Sequence, residues 1–380
     1  MRPPRDAPPP RPPPAELQPH PPPPPAAPPP AHPRARPRLL VVSRRDPGAR
    51  RHLRVRDLPT LLEAGDALVY NTTSVLPARL FARRPSGGKV EGLFLRQRHD
   101  VAPPAGSAAV WETLLKTNRK PKAGERLTTD AGVALRILER DSATGEWLVA
   151  VEGADASPDP GVTLDAIGAT PLPPYILAAR KARHDETPDE ADRRWYQTVF
   201  SDPGSTDSQG ASVAAPTAGL HFTPELLVAI DAARIARASV VLHVGAGTFK
   251  PIETDTVEAH PMHAERCLVP GRTLRTLDDA HAARGRRIAV GTTTARALES
   301  VPDGHDGDWA GETRLLITPG YAWKRVDALM TNFHLPRSTL LAMVGALFPG
   351  GVADLLDVYR EAIEREYRFY SYGDAMLILP

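Results

Sequence analysis

Residues 223–244 read TPELLVAIDAARIARASVVLHV, a helix pattern that runs directly into a strand pattern. Thr223 offers a hydroxyl N-cap, and Pro224 suits a first helical turn, where no amide is needed. The spacing predicts a helix over 223–236. ASVVLHV, rich in β-branched residues, predicts a buried strand. The alternation continues downstream. RTLRTLDDAHAARG (272–285) predicts a helix closed by Gly285, RRIAVGTT (286–293) a strand and TARALESV (294–301) a helix. ALMTNFHLP, an apolar helix in STLLAMVGALF and a last helix over VADLLDVYREAIEREYRFYSYG (352–373) complete the chain. Helices alternating with strands predict an α/β, barrel-like domain.

Upstream the period changes. ARPRLLVVSRR and GDALVYNTT each predict a strand. From Ala78 come short alternating runs: ARLFARR, GGKVEGLFLRQ, AAVWETLLKT, GERLTT, VALRILER and GEWLVAVEG, most separated by glycine-containing turns. Evenly spaced short strands predict a small antiparallel β-barrel inserted in the α/β domain. The expected division is a proline-rich disordered tail over 1–37, an α/β domain over 38–77 and 168–380, and the inserted barrel over 78–167.

Composition narrows the setting. Of 43 prolines, 19 fall in residues 1–37, too many for helix or sheet. Residues 1–57 carry twelve arginines against four acids, while the whole chain has a formal charge of only +2. Cys267 is the single cysteine, which excludes an internal disulfide framework and a cysteine-ligated iron–sulfur cluster. No apolar run suits a signal peptide or a membrane span. The expectation is a cytoplasmic protein, monomeric and off the membrane.

The segments that carry chemistry are few. VAAPTAGLHFT (213–223) and LHVGAGTFK (242–250) each set a histidine, His221 or His243, beside glycines, threonine and phenylalanine. Glycine lets backbone approach a ligand, and histidine moves protons near neutral pH. GAGTF lacks the third glycine of a dinucleotide fingerprint, and a plain tight turn serves that pattern equally. GTTTARALES (291–300) places Thr292 and Thr293 at a strand-to-helix junction, suited to a carboxylate or ribose, or simply to capping. AHPMHAERC carries His260, His263 and Glu265, a set with some likeness to a metal site, although Pro261 argues against placing both histidines on one helix. TNFHLPRSTLL (331–341) gathers Asn332, His334, Arg337, Ser338 and Thr339, with Pro336 marking the helix start. YRFYSYGDAM (367–376) sets three tyrosines beside Asp374, as an aromatic core or as a base-stacking wall.

In order along the chain, GDALVYNTTSVLPARL, PLPPYI, WYQTVF, SVAAPTAGLHFT, LHVGAGTFKP, HPMHAE, AVGTT, TNFHLPRSTLL and YRFYSYGDAM closely resemble the S-adenosylmethionine:tRNA ribosyltransferase-isomerases of queuosine biosynthesis. The resemblance spans about residues 65–376. It implies transfer of the ribosyl portion of S-adenosylmethionine to 7-aminomethyl-7-deazaguanine already in a tRNA. Isomerisation then gives epoxyqueuosine, with release of adenine and methionine. S-adenosylmethionine is then a substrate, and neither a cofactor nor a metal is expected.

Such chemistry needs several groups that move protons. Expected catalytic residues are His221, His243, His263 and His334, with Glu265 and Asp374 as partners. Expected substrate-binding residues are Asn71, Arg79, Tyr196, Gln197, Thr217, Gly219, Gly245, Gly247, Thr248, Thr292, Thr293, Asn332, Arg337 and Tyr372. The chain departs from the family pattern where Asn-Asp/Glu-Thr-Arg-Val is replaced by Asn71, Thr72, Thr73, Ser74 and Val75, which removes a charge pair. Two readings stand beside the main one: a tRNA-binding paralogue without turnover, and a metal-dependent hydrolase built on His260, His263 and Glu265.

Overall fold

A computed structural model describes residues 37–142, 144–201, 211–245, 254, 256–260 and 262–380. The tail assigned to 1–37 lies outside the described residues except for Pro37, as do Gly247 and Thr248. The chain begins with β1 (Arg38–Ser43), β2 (Arg50–Arg54), β3 (Ala67–Asn71) and the short β4 (Ser74–Val75). Six strands follow: β5 (Arg79–Arg83), β6 (Lys89–Gln97), β7 (Ser107–Lys116), β8 (Arg126–Thr128), β9 (Ala134–Arg140) and β10 (Trp147–Glu152). The chain continues through α1 (Pro160–Ile167), β11 (Gly168–Ala169), α2 (Pro174–Arg183), α3 (Asp189–Trp195) and β12 (Ala211–Ser212). Next come α4 (Pro224–Ala232), β13 (Ala236–Leu242), β14 (Glu265–Val269), α5 (Gly271–Ala282), β15 (Arg287–Val290) and α6 (Thr292–Ser300). The last elements are β16 (Trp309–Thr313), β17 (Ala328–Asn332), α7 (Thr339–Gly345), α8 (Val352–Glu364) and β18 (Ala375–Leu379).

The fold is α/β, with a closed antiparallel barrel and a large mixed sheet. Barrel strands run β5-β6-β7-β10-β9-β8 and close where Arg83 pairs with Thr128. Leu80, Phe94, Trp111, Leu135 and Val149 fill the barrel, with Phe94 and Trp111 edge to face at 4.9 Å. The nine-stranded sheet has the order β16-β14-β13-β3-β15-β17-β18-β1-β2. Its centre, β13-β3-β15-β17, is parallel.

Helices and loops cover both sheet faces, so the strands bury both sets of alternating side chains. In β1, Leu40 and Val42 join the core with Leu274, Leu298, Leu341 and Leu355 from α5 to α8. Leu39 and Val41 point the other way, toward Phe222, Leu226 and Ile230 at α4.

Local signals set several boundaries. The Thr223 hydroxyl accepts from the Leu226 amide at 3.2 Å, as a cap should. The helix expected to reach residue 236 ends at Ala232, because Arg234 turns left-handed at φ 57° and hands the chain to β13. Gly285 is not the left-handed residue of its turn; Arg284 is, at φ 58°. Gly285 is small for another reason: a Cβ there would sit 2.0 Å from the Gly65 carbonyl oxygen. The final helix stops at Glu364, not residue 373. Glu366 and Tyr370 turn left-handed and fold YRFYSYG back over the end of β17.

Candidate active site

A cavity of about 300 Å³ opens at the carboxyl ends of β15 and β17. In open α/β sheets, that is where crevices form for ligands. Gly291, Thr292 and Thr293 lead from β15 into α6 on one side, and Thr331, Asn332 and His334 end β17 on another. Thr217 and Ala218, from a 3-10 turn over Thr217–His221, face them. Tyr175 from α2 and the Tyr370–Ser371 turn close the wall. The Tyr175 and Tyr370 rings lie 4.6 Å apart, and the Tyr175 hydroxyl bonds to Ser371. A larger recess of about 680 Å³ lies near Arg44, Asp327 and Pro380, and none of the residues expected to act lines it.

Asn332 organises the cavity wall. Its Oδ1 accepts from the Thr217 hydroxyl at 2.9 Å, and its Nδ2 donates to the Tyr370 carbonyl at 3.2 Å. The carbonyl partner fixes which way the amide points. Nδ2 also meets His221 Nε2 at 2.9 Å, so that nitrogen accepts and the His221 proton sits on Nδ1. Burial drives the His221 pKa down to about 4, with Asp374 opposing and Arg368 adding to the shift. His221 is thus a neutral ring behind Asn332 and does not line the cavity.

His334 does line the cavity. Its Nε2 pairs with the Thr331 hydroxyl at 2.7 Å, and its backbone amide donates to the Tyr359 hydroxyl at 2.9 Å. The packing around it lowers its pKa to about 4. Arg337, three residues on, is exposed and left-handed at φ 52°. Ser338 takes the capping role, accepting from Leu341 N at 3.2 Å.

The other expected residues stand apart from the cavity. Glu265 is buried, forms an ion pair with Arg296 of α6, and accepts from the Gly245 amide at 3.0 Å. Burial lowers the Arg296 pKa to about 10. His263 reaches instead toward the barrel, with Nδ1 4.0 Å from Glu146. His243 continues the β13 ladder through its amide to the Arg266 carbonyl at 2.9 Å. Among the described residues, no group of three or more His, Cys, Asp or Glu side chains converges as a metal site would.

Asp374 is fully buried. Its oxygens accept from the Arg38 amide and Nε and from the Arg368 amide and Nη2, at 2.9–3.0 Å. Burial alone would raise its pKa, but these donors hold it below the usual carboxylate range. Asn71 ties β3 to β13 through Leu242. Gln197 brackets both backbone groups of Val75. Tyr196 and Tyr372 pack edge to face in a small core, and a Cβ on Gly219 would lie 2.9 Å from Thr198 Cγ2. Arg79 pairs with Glu91 on the barrel surface at 2.8 Å.

The sequence reading missed Tyr175, Thr331, Tyr370 and Ser371 on the cavity wall, and Arg296 behind it. Tyr175, Thr331, Tyr370 and Ser371 sit inside PLPPYI, TNFHLP and YRFYSYG, the segments that supplied expected residues, but on other positions of them.

Comparison with known proteins decides the family. The sequence profile described as "Queuosine biosynthesis protein" matches residues 20–378. The chain belongs to the queuosine biosynthesis protein family. Curated family members named S-adenosylmethionine:tRNA ribosyltransferase-isomerase are similar along most of their length. The Gloeobacter violaceus protein is 45% identical over 352 residues, covering 92% of this chain and 91% of its own. The Thermus thermophilus protein is 45% identical, covering 91% and 94%. A crystal structure of an S-adenosylmethionine tRNA ribosyltransferase from Thermotoga maritima aligns at 32% identity with a TM-score of 0.48, covering 93% and 96%.

Proposed function

We propose that this family member transfers the ribosyl portion of S-adenosylmethionine to 7-aminomethyl-7-deazaguanine in a tRNA. Isomerisation gives epoxyqueuosine and releases adenine and methionine. The observation that carries the reading is the Thr217–Asn332–His334 wall, assembled from distant segments around one cavity and faced by two tyrosines.

A sulfonium acidifies its adjacent C–H, so the first step needs a neutral base within reach. His334 has its ring on the cavity and is unprotonated at neutral pH. Asn332, locked by Thr217 and Tyr370, keeps its side of the cavity rigid, and neutral His221 supports it from behind. The Tyr175 and Tyr370 rings suit a sulfonium cation, which aromatic faces attract by roughly 1–2 kcal/mol when water is excluded. Departing adenine takes up the proton the base removed, and the amine loses one as its N–C bond forms, so one proton is released overall.

We further propose that the protein acts as a cytoplasmic monomer and without a resident cofactor. No helix among the described residues is long and apolar enough to cross a membrane. The test is release of adenine and methionine from S-adenosylmethionine by the purified chain. Release is expected only with tRNA bearing the 7-aminomethyl precursor, and silence with that tRNA would overturn the reading.

A further inference from the structure

The outer face of the barrel carries an unbalanced charge. Across β5, β6 and β7 the register sets Arg83 opposite Lys89, Phe81 opposite Glu91, Glu91 opposite Lys116 and Arg79 opposite Leu93. Leu80 and Ala82 alternate inward to the barrel core, so the side chains of Arg79, Phe81 and Arg83 share the outer face with their partners. Arg79, Arg83, Lys89 and Lys116 thus stand around a single acid, Glu91, on a chain whose whole formal charge is only +2. Other barrel cations are matched: Arg96 and Arg98 share Glu112, Arg84 holds Glu125, and Arg136 holds Glu152. Glu91 is already taken by Arg79 at 2.8 Å. Arg83, Lys89 and Lys116 are exposed and form no ion pair among the described residues.

An aromatic ring lies in the same strip. Phe81 is 47% exposed, midway along β5 between Arg79 and Arg83. The other exposed large hydrophobics, Val162, Val228 and Leu268, are aliphatic. The Arg79 guanidinium stands 4.9 Å from the Phe81 ring centroid, so one arginine props the ring and neutralises the acid beside it. A ring flanked by cations on a strand surface is how single-stranded RNA is held, with phosphates on the charges and a base on the ring. The place suits this too. Arg79 pairs with Ala169 of β11, and Tyr175 of the cavity wall follows six residues later, at most about 20 Å of chain. From Arg79 the strip extends about 13 Å to Arg83.

We infer that this face of the barrel holds the tRNA strand flanking the nucleotide under modification, an assignment that rests on the function proposed above. Phosphates lie on Arg83, Lys89 and Lys116, and an unpaired base stacks on Phe81. RNA uses both the charge and the ring. An acidic protein segment would use only the charge and is the rival occupant.

The test is binding of tRNA bearing the 7-aminomethyl precursor to the full chain over a salt series. Wild type is compared with Arg83→Gln, Lys89→Gln and Lys116→Gln combined, with Phe81→Ala and with Phe81→Trp. A control removes equal charge from the exposed side of α5 and its end, by Arg272→Gln, Arg275→Gln and Arg284→Gln combined. The barrel charge variant is expected to lose about 10- to 100-fold in affinity near 0.1 M salt, with a log–log salt slope shallower by about two to three. Phe81→Ala loses about 5- to 100-fold at an unchanged slope, and Phe81→Trp restores it. The α5 variant binds as wild type does. Wild-type affinity in the barrel charge variant or in Phe81→Ala overturns the inference, as does an equal loss in the α5 variant. Retained tRNA affinity with lost binding of poly-glutamate assigns the face to an acidic protein and overturns it too. If wild type binds no tRNA at all, the functional reading itself falls.

Discussion

TNFHLP and HPMHAE look alike as sequence, each a histidine-bearing turn with a proline, yet they fold into opposite kinds of site. Around Asn332 and His334, polar groups are held on one side and left facing a cavity on the other. Around Glu265, the carboxylate is turned inward onto Arg296 and the Gly245 amide. One arrangement leaves polar groups on a cavity, and the other pairs its carboxylate within the protein. A motif's residue types do not tell which; the direction of its partners does.

The contrast breaks first at His334. His334→Gln removes the proposed base and is expected to slow adenine release by about 10²- to 10⁴-fold, with an unchanged melting temperature. Wild-type turnover in that variant would remove His334 from the chemistry. On the closed side, Glu265→Gln strands a buried arginine charge and is expected to lower unfolding free energy by about 3–5 kcal/mol in urea titration. Pairing Glu265→Leu with Arg296→Met should recover most of that loss; if it does not, Glu265 has a duty beyond the ion pair.

Acid probes the cavity side by a smaller amount. His221 and His334 have folded pKa values near 4, below the ordinary 6.5. Between those values the unfolded chain binds protons that the folded chain refuses. Stability is therefore complete above about pH 6.5 and falls as pH drops toward 4, by on the order of 3 kcal/mol from His221 alone. His221→Gln should flatten that slope, and an unchanged slope would show His221 to titrate normally. The smallest effect belongs to the barrel surface. Arg79→Ala breaks a part-exposed pair with Glu91 and should cost less than about 1 kcal/mol in the same titration.

The fold was largely legible because its signals are local. Alternation from Ala78 onward marked all six barrel strands, and Thr223 with Pro224 marked the start of α4. Endings were less legible: Arg234, Arg284 and Glu366 take left-handed conformations that no residue preference announces. β18 (Ala375–Leu379) follows the run expected as helix over 352–373, and the sequence pattern assigned no strand there.

The candidate site was legible as segments but not as faces. Tyr372 and Asp374 drew attention for their chemistry, yet Tyr370 and Ser371 line the cavity while Asp374 is saturated by Arg38 and Arg368. Arg38 lies 336 residues away and Arg368 six, and no spacing rule links the two. Asn71 bonds the Thr73 amide and both backbone groups of Leu242, and the Thr72 hydroxyl donates to the Val240 carbonyl. These bonds join the segment to β13 without a charged side chain.

The pairing of β1 with β18 sets an order of events during synthesis. Arg38 and Asp374, bonded in the folded protein, are 336 residues apart in the chain. The central strand β3 likewise waits for β13 and β15, both made long after it. The barrel is different, because most of its strands pair with neighbours in sequence and close over short loops. A growing chain can therefore pair the barrel strands early, while β1 finds its partner β18 only after nearly all the other strands of the sheet have been made.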